Sequence, residues 1–176
     1  MIWLARTSFW LLLLLTAVPF SPAQPPASAP AGTYRIDRVE ILEKGIYRAQ
    51  IIKTFAANTL SGQQSVYGKR ELVKDTTTIP ATPGIQFGFK FLVVGEPKGA
   101  RVPMRVIAVY PPGGRQNPHT GKIVAQDVFE VSRTIGSTDN PFCFTPKWGL
   151  VLGTWTLQVW DGDRKLAEQK LALVEP

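Results

Sequence analysis

The clearest alternation of apolar and polar residues lies near the C-terminus, in two strand-like runs on either side of an Asp-Gly pair. Trp155, Leu157 and Val159 alternate with polar residues, and Asp-Gly follows at 161–162. Alternation with a period of two, followed by a turn signal of this kind, is typical of a β-hairpin. The pattern therefore predicts a hairpin over residues 153–173, with the three apolar side chains facing a core.

The register of this hairpin is constrained by the second strand. Its apolar residues of one parity are Ala167, Leu171 and Leu173. Opposed residues in an antiparallel pair share a face, so the connection must contain an odd number of residues to place both apolar sets together. This favours a three-residue loop with a bulge over a two-residue turn, and it turns Gln169 inward. The opposite register stays open, because Leu166 and Val174 lie on the other face.

A second strongly apolar segment, residues 84–93, has the pattern of a central core strand. Its apolar residues at odd positions are Ile85, Phe87, Phe89, Phe91 and Val93. Burying three phenylalanines contributes on the order of 10 kcal/mol gross, which is comparable to the net stability of a whole domain. The predicted core therefore comprises Phe87, Phe89, Phe91, Trp155, Leu157 and Val159.

The rest of the chain also breaks into pieces of β-strand length. Further strands are predicted at 34–43, 46–55, 65–74 (a polar edge strand), 102–110 and 123–133. Two long irregular loops are predicted at 111–121 and 134–149. Because no segment after residue 23 has a helical period, the chain is expected to be an all-β, immunoglobulin-like antiparallel β-sandwich of seven to eight strands. A small β-barrel is the alternative.

The N-terminal segment has the order of regions that defines a secretory signal peptide. Arg6 precedes an apolar run at 9–18, and prolines and small residues follow. This run is about half of the roughly 20 residues needed to span a bilayer. We therefore expect a signal peptide at 1–23, a Pro/Ala-rich linker at 24–32 and a β-sandwich domain at 33–176. The cleaved protein would have no integral membrane span, and its location would be periplasmic or secreted.

Several short motifs also resemble those of a known family. They are Gly45-Ile46-Tyr47, Gly84-Ile85-Gln86-Phe87-Gly88-Phe89, Gly153-Thr154-Trp155 and Asp163-Arg164-Lys165-Leu166-Ala167-Glu168. Together they resemble a family of uncharacterised exported bacterial β-sandwich domains, a domain of unknown function. The resemblance covers nearly all of the chain after the linker. It implies a small periplasmic or secreted β domain of a Gram-negative bacterium, and it assigns no functional residue.

The residues that could carry chemistry are few. His119 is the only histidine and Cys143 the only cysteine, so a zinc site with three or four ligands cannot be assembled from them. Cys143, between two phenylalanines, has the pattern of a buried apolar residue, with intermolecular or redox chemistry as the alternative. We expect no metal, no cofactor and no catalysis.

The charge distribution and the loops give the functional expectation. The formal net charge is +7, with the basic residues dispersed, which favours weak binding to anionic polymers and does not indicate a nucleic-acid partner. Arg115, His119, Lys147 and Trp148 lie in or beside the two long loops. We therefore predict an exported, non-catalytic binding or accessory module, whose partner is an envelope protein or an anionic polysaccharide. The alternative is a structural or assembly protein that pairs with a partner through an edge strand.

Overall fold

The fold is described by a computed structural model that covers residues 33–146 and 148–176. The described part is an all-β, immunoglobulin-like β-sandwich, as the alternation predicted. The signal peptide predicted at 1–23, the linker predicted at 24–32 and the side chain of Lys147 lie outside the described residues. No helix of the described part is long and apolar enough to cross a membrane.

Eleven β-strands make up the described part, and seven of them have nine residues or more. In chain order they are β1 (Arg35–Ala56), β2 (Gln63–Asp75), β3 (Thr78–Pro80), β4 (Phe87–Glu96), β5 (Arg101–Val109), β6 (Arg115–Gln116), β7 (Ile123–Val124), β8 (Gln126–Thr134), β9 (Phe142–Phe144), β10 (Gly153–Asp161) and β11 (Arg164–Val174). One sheet has the order β2-β1-β4-β9 and the other β3-β11-β10-β5-β8, while β6 and β7 form a separate ribbon. Only the short β3 pairs in parallel, with β11.

The hydrophobic core lies between the inner faces of β4 and β10. All six residues predicted for the core are buried, with exposed fractions of 2% or less. The Phe87 and Trp155 rings meet edge to face at 5.4 Å between centroids, a favourable aromatic geometry. The indole nitrogen of Trp155 donates a hydrogen bond to the Val151 carbonyl, 2.9 Å away, so this tryptophan is buried with its polar atom satisfied.

The closing hairpin has the register expected from the sequence but a different connection. Trp155 pairs with Leu171 and Val159 with Ala167, so the apolar sets do share a face. The predicted three-residue loop is wrong, because the turn consists of Gly162 and Asp163 alone, with Gly162 at a φ of +54°. A bulge beyond Val159 restores the parity instead.

The strands predicted at 34–43 and 46–55 are one continuous strand, β1, which corrects the sequence interpretation. Gly45 lies within it at a φ of +138°, and a Cβ atom there would collide with the Lys74 carbonyl oxygen. The first half of β1 pairs with β4, and the second half pairs with β2. The glycine therefore permits a close approach of two strands at this point and does not end a strand.

The two predicted loops also contain short strands. The 111–121 segment includes β6, and the 134–149 segment includes β9, which pairs with β4. The strand expected at 123–133 is divided into β7 and β8. The strand expected at 65–74 corresponds to β2, which is an edge strand as predicted.

Candidate functional site

The hairpin of β1 and β2 extends beyond the rest of its sheet. The ladder between β1 and β4 ends at Ile46, whereas the ladder between β1 and β2 continues to Ala56. We call residues 47–72, which comprise the extended hairpin and its turn, the arm. The arm has three register shifts in its ladder, and such bulges increase the bending and twist of a strand pair.

The tip of the arm is attached by hydrogen bonds to β8 of the opposite sheet and to the segment between β6 and β7. The Leu60 amide donates to Oδ1 of Asp127 at 2.8 Å, and Nδ2 of Asn117 donates to the Leu60 carbonyl at 3.0 Å. Halfway along the arm, the Tyr67 hydroxyl donates to Oγ1 of Thr145 at 2.9 Å. Because Asp127 is the second residue of β8 and Thr145 follows β9, the arm spans the open side of the sandwich between these two strands.

Beneath the arm is a groove of about 770 Å³. Its lining includes the consecutive residues 129–133 of β8 and 142–146, which contain β9. Successive residues of a strand point to opposite faces, so a groove lined by consecutive residues runs along the strand edge. Among the described residues β8 pairs with β5 alone, so its second edge is open toward this groove.

The groove has an aromatic floor and a partly apolar wall. Phe129, Phe142 and Phe144 form the floor, with ring centroids 5.1–5.4 Å apart. Ile51 and Phe55 face it from the arm, although both belong to the exposed large hydrophobic residues of the chain. The groove therefore presents apolar surface that the protein itself does not cover.

Arg115 lines the groove and is engaged internally. It is 7% exposed, its guanidinium lies 3.7 Å from Asp127, and it donates to the carbonyls of Trp148 and Gly149. The same guanidinium lies 4.6 Å from the centroid of the Trp148 ring. Arg115 thus joins the loop before β10 to β8. Its place in a predicted loop suggests a solvent-exposed charge, whereas in the structure the side chain is buried.

Two other arginines of the groove, Arg70 on the arm and Arg133 on β8, have no acidic partner. Across residues 33–146 and 148–176, which include every aspartate and glutamate of the chain, no carboxylate lies within 4.0 Å of either guanidinium. Arg70 lies over the Tyr67 ring and Arg133 over the Phe91 ring, at 4.8 and 4.9 Å from the centroids. Nε of Arg70 is buried and has no hydrogen-bond partner within the described chain.

The electrostatic environment of these two side chains follows from burial. Burial lowers the pKa of Arg70, and it also lowers the pKa of Arg133, because water is removed from a charged group. The positive charge of Arg70 lowers the pKa of Arg133 further, while the charge of Asp139 raises it. The groove therefore holds two partly desolvated cations close enough to influence each other.

Cys143 also lines the groove, where it is buried and forms no disulfide. Burial raises the pKa of its thiol to about 12, an effect that the nearby Arg70 charge opposes. At neutral pH the group is therefore a neutral thiol, which is a poor nucleophile and metal ligand. Among the described residues, no group of three histidine, cysteine, aspartate or glutamate side chains is placed to hold a metal ion.

The remaining predicted site residues are dispersed. Trp148 lines the groove beside Arg115, whereas His119 is exposed in its loop, with its amide donating to Oδ1 of Asn117, and does not line the groove. Lys147 lies outside the described residues. Sequence reasoning missed Arg70, in the predicted polar edge strand, and Arg133, at the end of the strand predicted at 123–133, because an arginine that lines a groove has the same local pattern as a solvated one.

The fold and the site define an immunoglobulin-like β-sandwich with an arm-covered groove at its open side. The structure is similar to that of an immunoglobulin-like protein from Pseudomonas aeruginosa, with a TM-score of 0.51 and 24% sequence identity. That similarity covers 83% of this chain and 100% of the other, and it concerns the fold alone. The chain belongs to the family described as Domain of unknown function (DUF3859), whose model matches residues 35–172. No curated protein matches the chain.

Proposed function

We propose that this protein is an exported, non-catalytic binding module of the bacterial envelope, and that its ligand lies in the groove beneath the arm. The observation that carries the proposal is the groove itself: about 770 Å³ of space, open to solvent and lined by phenylalanines and arginines. This volume is in the range of about 300–1,000 Å³ that is usual for ligand pockets. Attachment of the arm at Leu60 and Tyr67 supports a preformed site, which lowers the entropic cost of binding.

The chemistry of the groove supports binding without catalysis. The only histidine, His119, lies outside the lining, and the Cys143 thiol is protonated at neutral pH. General acid-base and nucleophilic catalysis both require a group whose pKa is close to the working pH or lowered toward it. The raised pKa of Cys143 is a shift in the opposite direction for a nucleophile.

The leader sequence supports export, which fractionation of cells can test. We expect the mature chain in the periplasm or medium, with an N-terminus between residues 22 and 32. Mass spectrometry of the intact protein from each fraction gives the cleavage position. Protein that retains Met1 in those fractions would contradict cleavage, and protein found only in the cytoplasm would contradict export.

The groove can be distinguished from the loops by NMR mapping with soluble envelope extract. We expect chemical-shift changes for amides along 129–133 and in the arm, and loss of these changes in Ser132→Trp, which fills the groove. Ser137→Trp is the matched control, because Ser137 is exposed and does not line the groove. Shift changes confined to the loop around Arg115 and His119 would instead favour a loop site.

A second candidate function, pairing with a partner strand, is favoured by the open edge of β8. Edge strands recruit extended peptides by continuing the backbone hydrogen-bond ladder. This candidate predicts that a bound partner protects alternate amides of 128–132 from hydrogen exchange. It also predicts that binding is insensitive to the charges of Arg70 and Arg133, because backbone groups carry the interaction.

A further inference from the structure

The groove has an excess of positive charge that the protein does not neutralise. Among the described residues, four arginines line it, against two acidic residues, Asp127 and Glu130. The Arg115–Asp127 pair is mutually engaged at 3.7 Å, and Glu130 is exposed. Arg70, Arg101 and Arg133 therefore face a single remaining carboxylate in the lining.

Resting on the groove as the ligand site, we propose that Arg70 and Arg133 form an anion-binding subsite and that the ligand is an organic anion with an apolar portion. The carboxylate, phosphate or similar group would lie between the two guanidinium groups. The apolar portion would lie against the floor of Phe142 and Phe144.

The first argument for the subsite is desolvation. Two guanidinium groups that have lost part of their hydration, and that stand near each other with no carboxylate within 4.0 Å, raise the free energy of the empty groove, although the more distant charge of Asp139 offsets part of this cost at Arg133. An anion placed between them offsets the repulsion and gives the buried Nε of Arg70 the hydrogen-bond partner that it lacks within the described chain. A bound anion would therefore offset the free-energy cost of holding these two partly desolvated guanidinium groups close together.

The second argument is the orientation of the two side chains. Each guanidinium lies over an aromatic ring, Tyr67 for Arg70 and Phe91 for Arg133. Stacking restricts the rotation of a guanidinium plane and leaves its edge free for hydrogen bonds. Nη1 of Arg133 donates to the Ser132 carbonyl at 3.2 Å, so the other N–H groups of this guanidinium are the ones that can bind an anion. Planar edges of this kind bind carboxylate and phosphate groups with two hydrogen bonds each.

The third argument gives the apolar part of the ligand. The phenylalanine floor and the arm residues Ile51 and Phe55 flank the groove that holds the arginines. A small hydrated anion alone would leave this surface exposed to water, whereas an anion with an attached hydrocarbon would cover it. The combination therefore favours an amphipathic anion over inorganic phosphate.

Matched small probes test the subsite on the mature protein. The probes are acetate and hexanoate, inorganic phosphate and hexyl phosphate, and the neutral hexanol, each titrated at constant ionic strength. NMR signals of the arginine Nε–H groups and of amides in 129–133 report binding. We expect saturable shifts with hexanoate or hexyl phosphate, tighter than with acetate, phosphate or hexanol. The tighter of the two hexyl anions identifies carboxylate or phosphate as the preferred group.

Charge-removing variants complete the test. The double variant Arg70→Gln/Arg133→Gln is expected to weaken anion binding about 10- to 100-fold, as for lost hydrogen bonds to charged groups. The control Arg48→Gln/Lys69→Gln removes the same amount of charge, in this case entirely from the arm, at exposed residues outside the groove, and should bind as the parent does. Circular dichroism establishes that each protein is folded, and the single variants give the effect of each arginine separately.

The outcomes separate this inference from the proposed function. If hexanol binds as tightly as the hexyl anions and the arginine variants have no effect, the subsite is wrong while a groove ligand stands. If no probe gives a saturable shift, or if the control pair weakens binding equally, the subsite is also wrong. An extended peptide that protects β8 amides in the arginine double variant would replace it with strand pairing.

Discussion

The two long hairpins of this protein, β10–β11 and the arm, differ in what holds them in place. In β10–β11 the inner face of β10 is buried throughout, with Trp155, Leu157 and Val159 fully covered by the other sheet. The arm has more register shifts, and it exposes Ile52, Phe55 and Val66. Its attachments are hydrogen bonds to Gln86 at its base and those at Leu60 and Tyr67, and within residues 47–72 only Tyr47 and Leu60 are buried.

This difference shows how one chain separates stability from binding. A hairpin that buries one complete face is stabilised by apolar burial in proportion to its area. A hairpin attached at its tip and midpoint has less burial to stabilise it, and it leaves apolar and charged side chains free for a ligand. We therefore expect substitutions in β10–β11 to change the free energy of unfolding, and substitutions in the arm to change binding.

The largest expected effect is that of Trp155→Ala, at about 3–5 kcal/mol of unfolding free energy. Trp155 packs against three aromatic rings, Phe87, Tyr110 and Phe144, and the surroundings of a large cavity relax only in part. Urea denaturation measures the change. Trp160→Ala is the control, because Trp160 is half-buried on the same strand and should cost less. Equal losses of unfolding free energy in Trp155→Ala and Trp160→Ala would contradict the placement of the Trp155 side chain in the core.

The second effect, about 3 kcal/mol, is expected for Asp127→Ala, because it leaves the buried Arg115 without its charged partner. The same carboxylate accepts hydrogen bonds from the Leu60 amide and the Tyr110 hydroxyl. Hydrogen exchange of arm amides should therefore accelerate more than that of β10 amides. Uniform acceleration across both hairpins would show that the arm does not open separately.

Trp155 and Asp127 also illustrate how much of the structure the sequence predicts. From Thr154 to Val159 the strand alternates polar and apolar residues, because one face is buried and the other is not, so the sequence predicts both its existence and its orientation. The short β9, with Phe142, Cys143 and Phe144 all buried, has no alternation and was interpreted as loop. The roles of Asp127 and Arg115 depend on partners far along the chain, and no local pattern encodes such a pairing.

A third effect concerns alkaline pH. Burial is the main cause that raises the pKa of Tyr47, at the base of the arm, and of Tyr110, which packs against Trp155. A tyrosine whose pKa is raised on folding contributes stability that is fully present below its pKa in the unfolded chain. This stability is lost as the pH rises above about 10, because the unfolded tyrosines then ionise before the folded ones. The loss approaches about 1.4 kcal/mol per pH unit for each tyrosine.

Absorbance of tyrosinate, recorded together with circular dichroism, measures this effect. We expect Tyr47→Phe and Tyr110→Phe each to make unfolding less steep in pH above about 10. Ionisation of Tyr47 or Tyr110 near pH 10 while the fold is intact, identified by its loss in the corresponding Phe variant, would contradict the raised pKa values.

The smallest effect on stability is expected for Phe55→Ser in the arm, and it sharpens the comparison between the hairpins. Phe55 is 42% exposed and lines the groove, so replacing it removes little buried area and should change the unfolding free energy by less than about 1 kcal/mol. Ile52→Ser is the matched control, because Ile52 is 67% exposed and does not line the groove. Urea denaturation should leave both variants close to the parent, whereas titration with hexanoate or hexyl phosphate should weaken only for Phe55→Ser. A loss of stability from Phe55→Ser comparable to that from Trp155→Ala would place the arm in the cooperative core, because a side chain can destabilise the fold that strongly only if the packing of the whole sandwich depends on it.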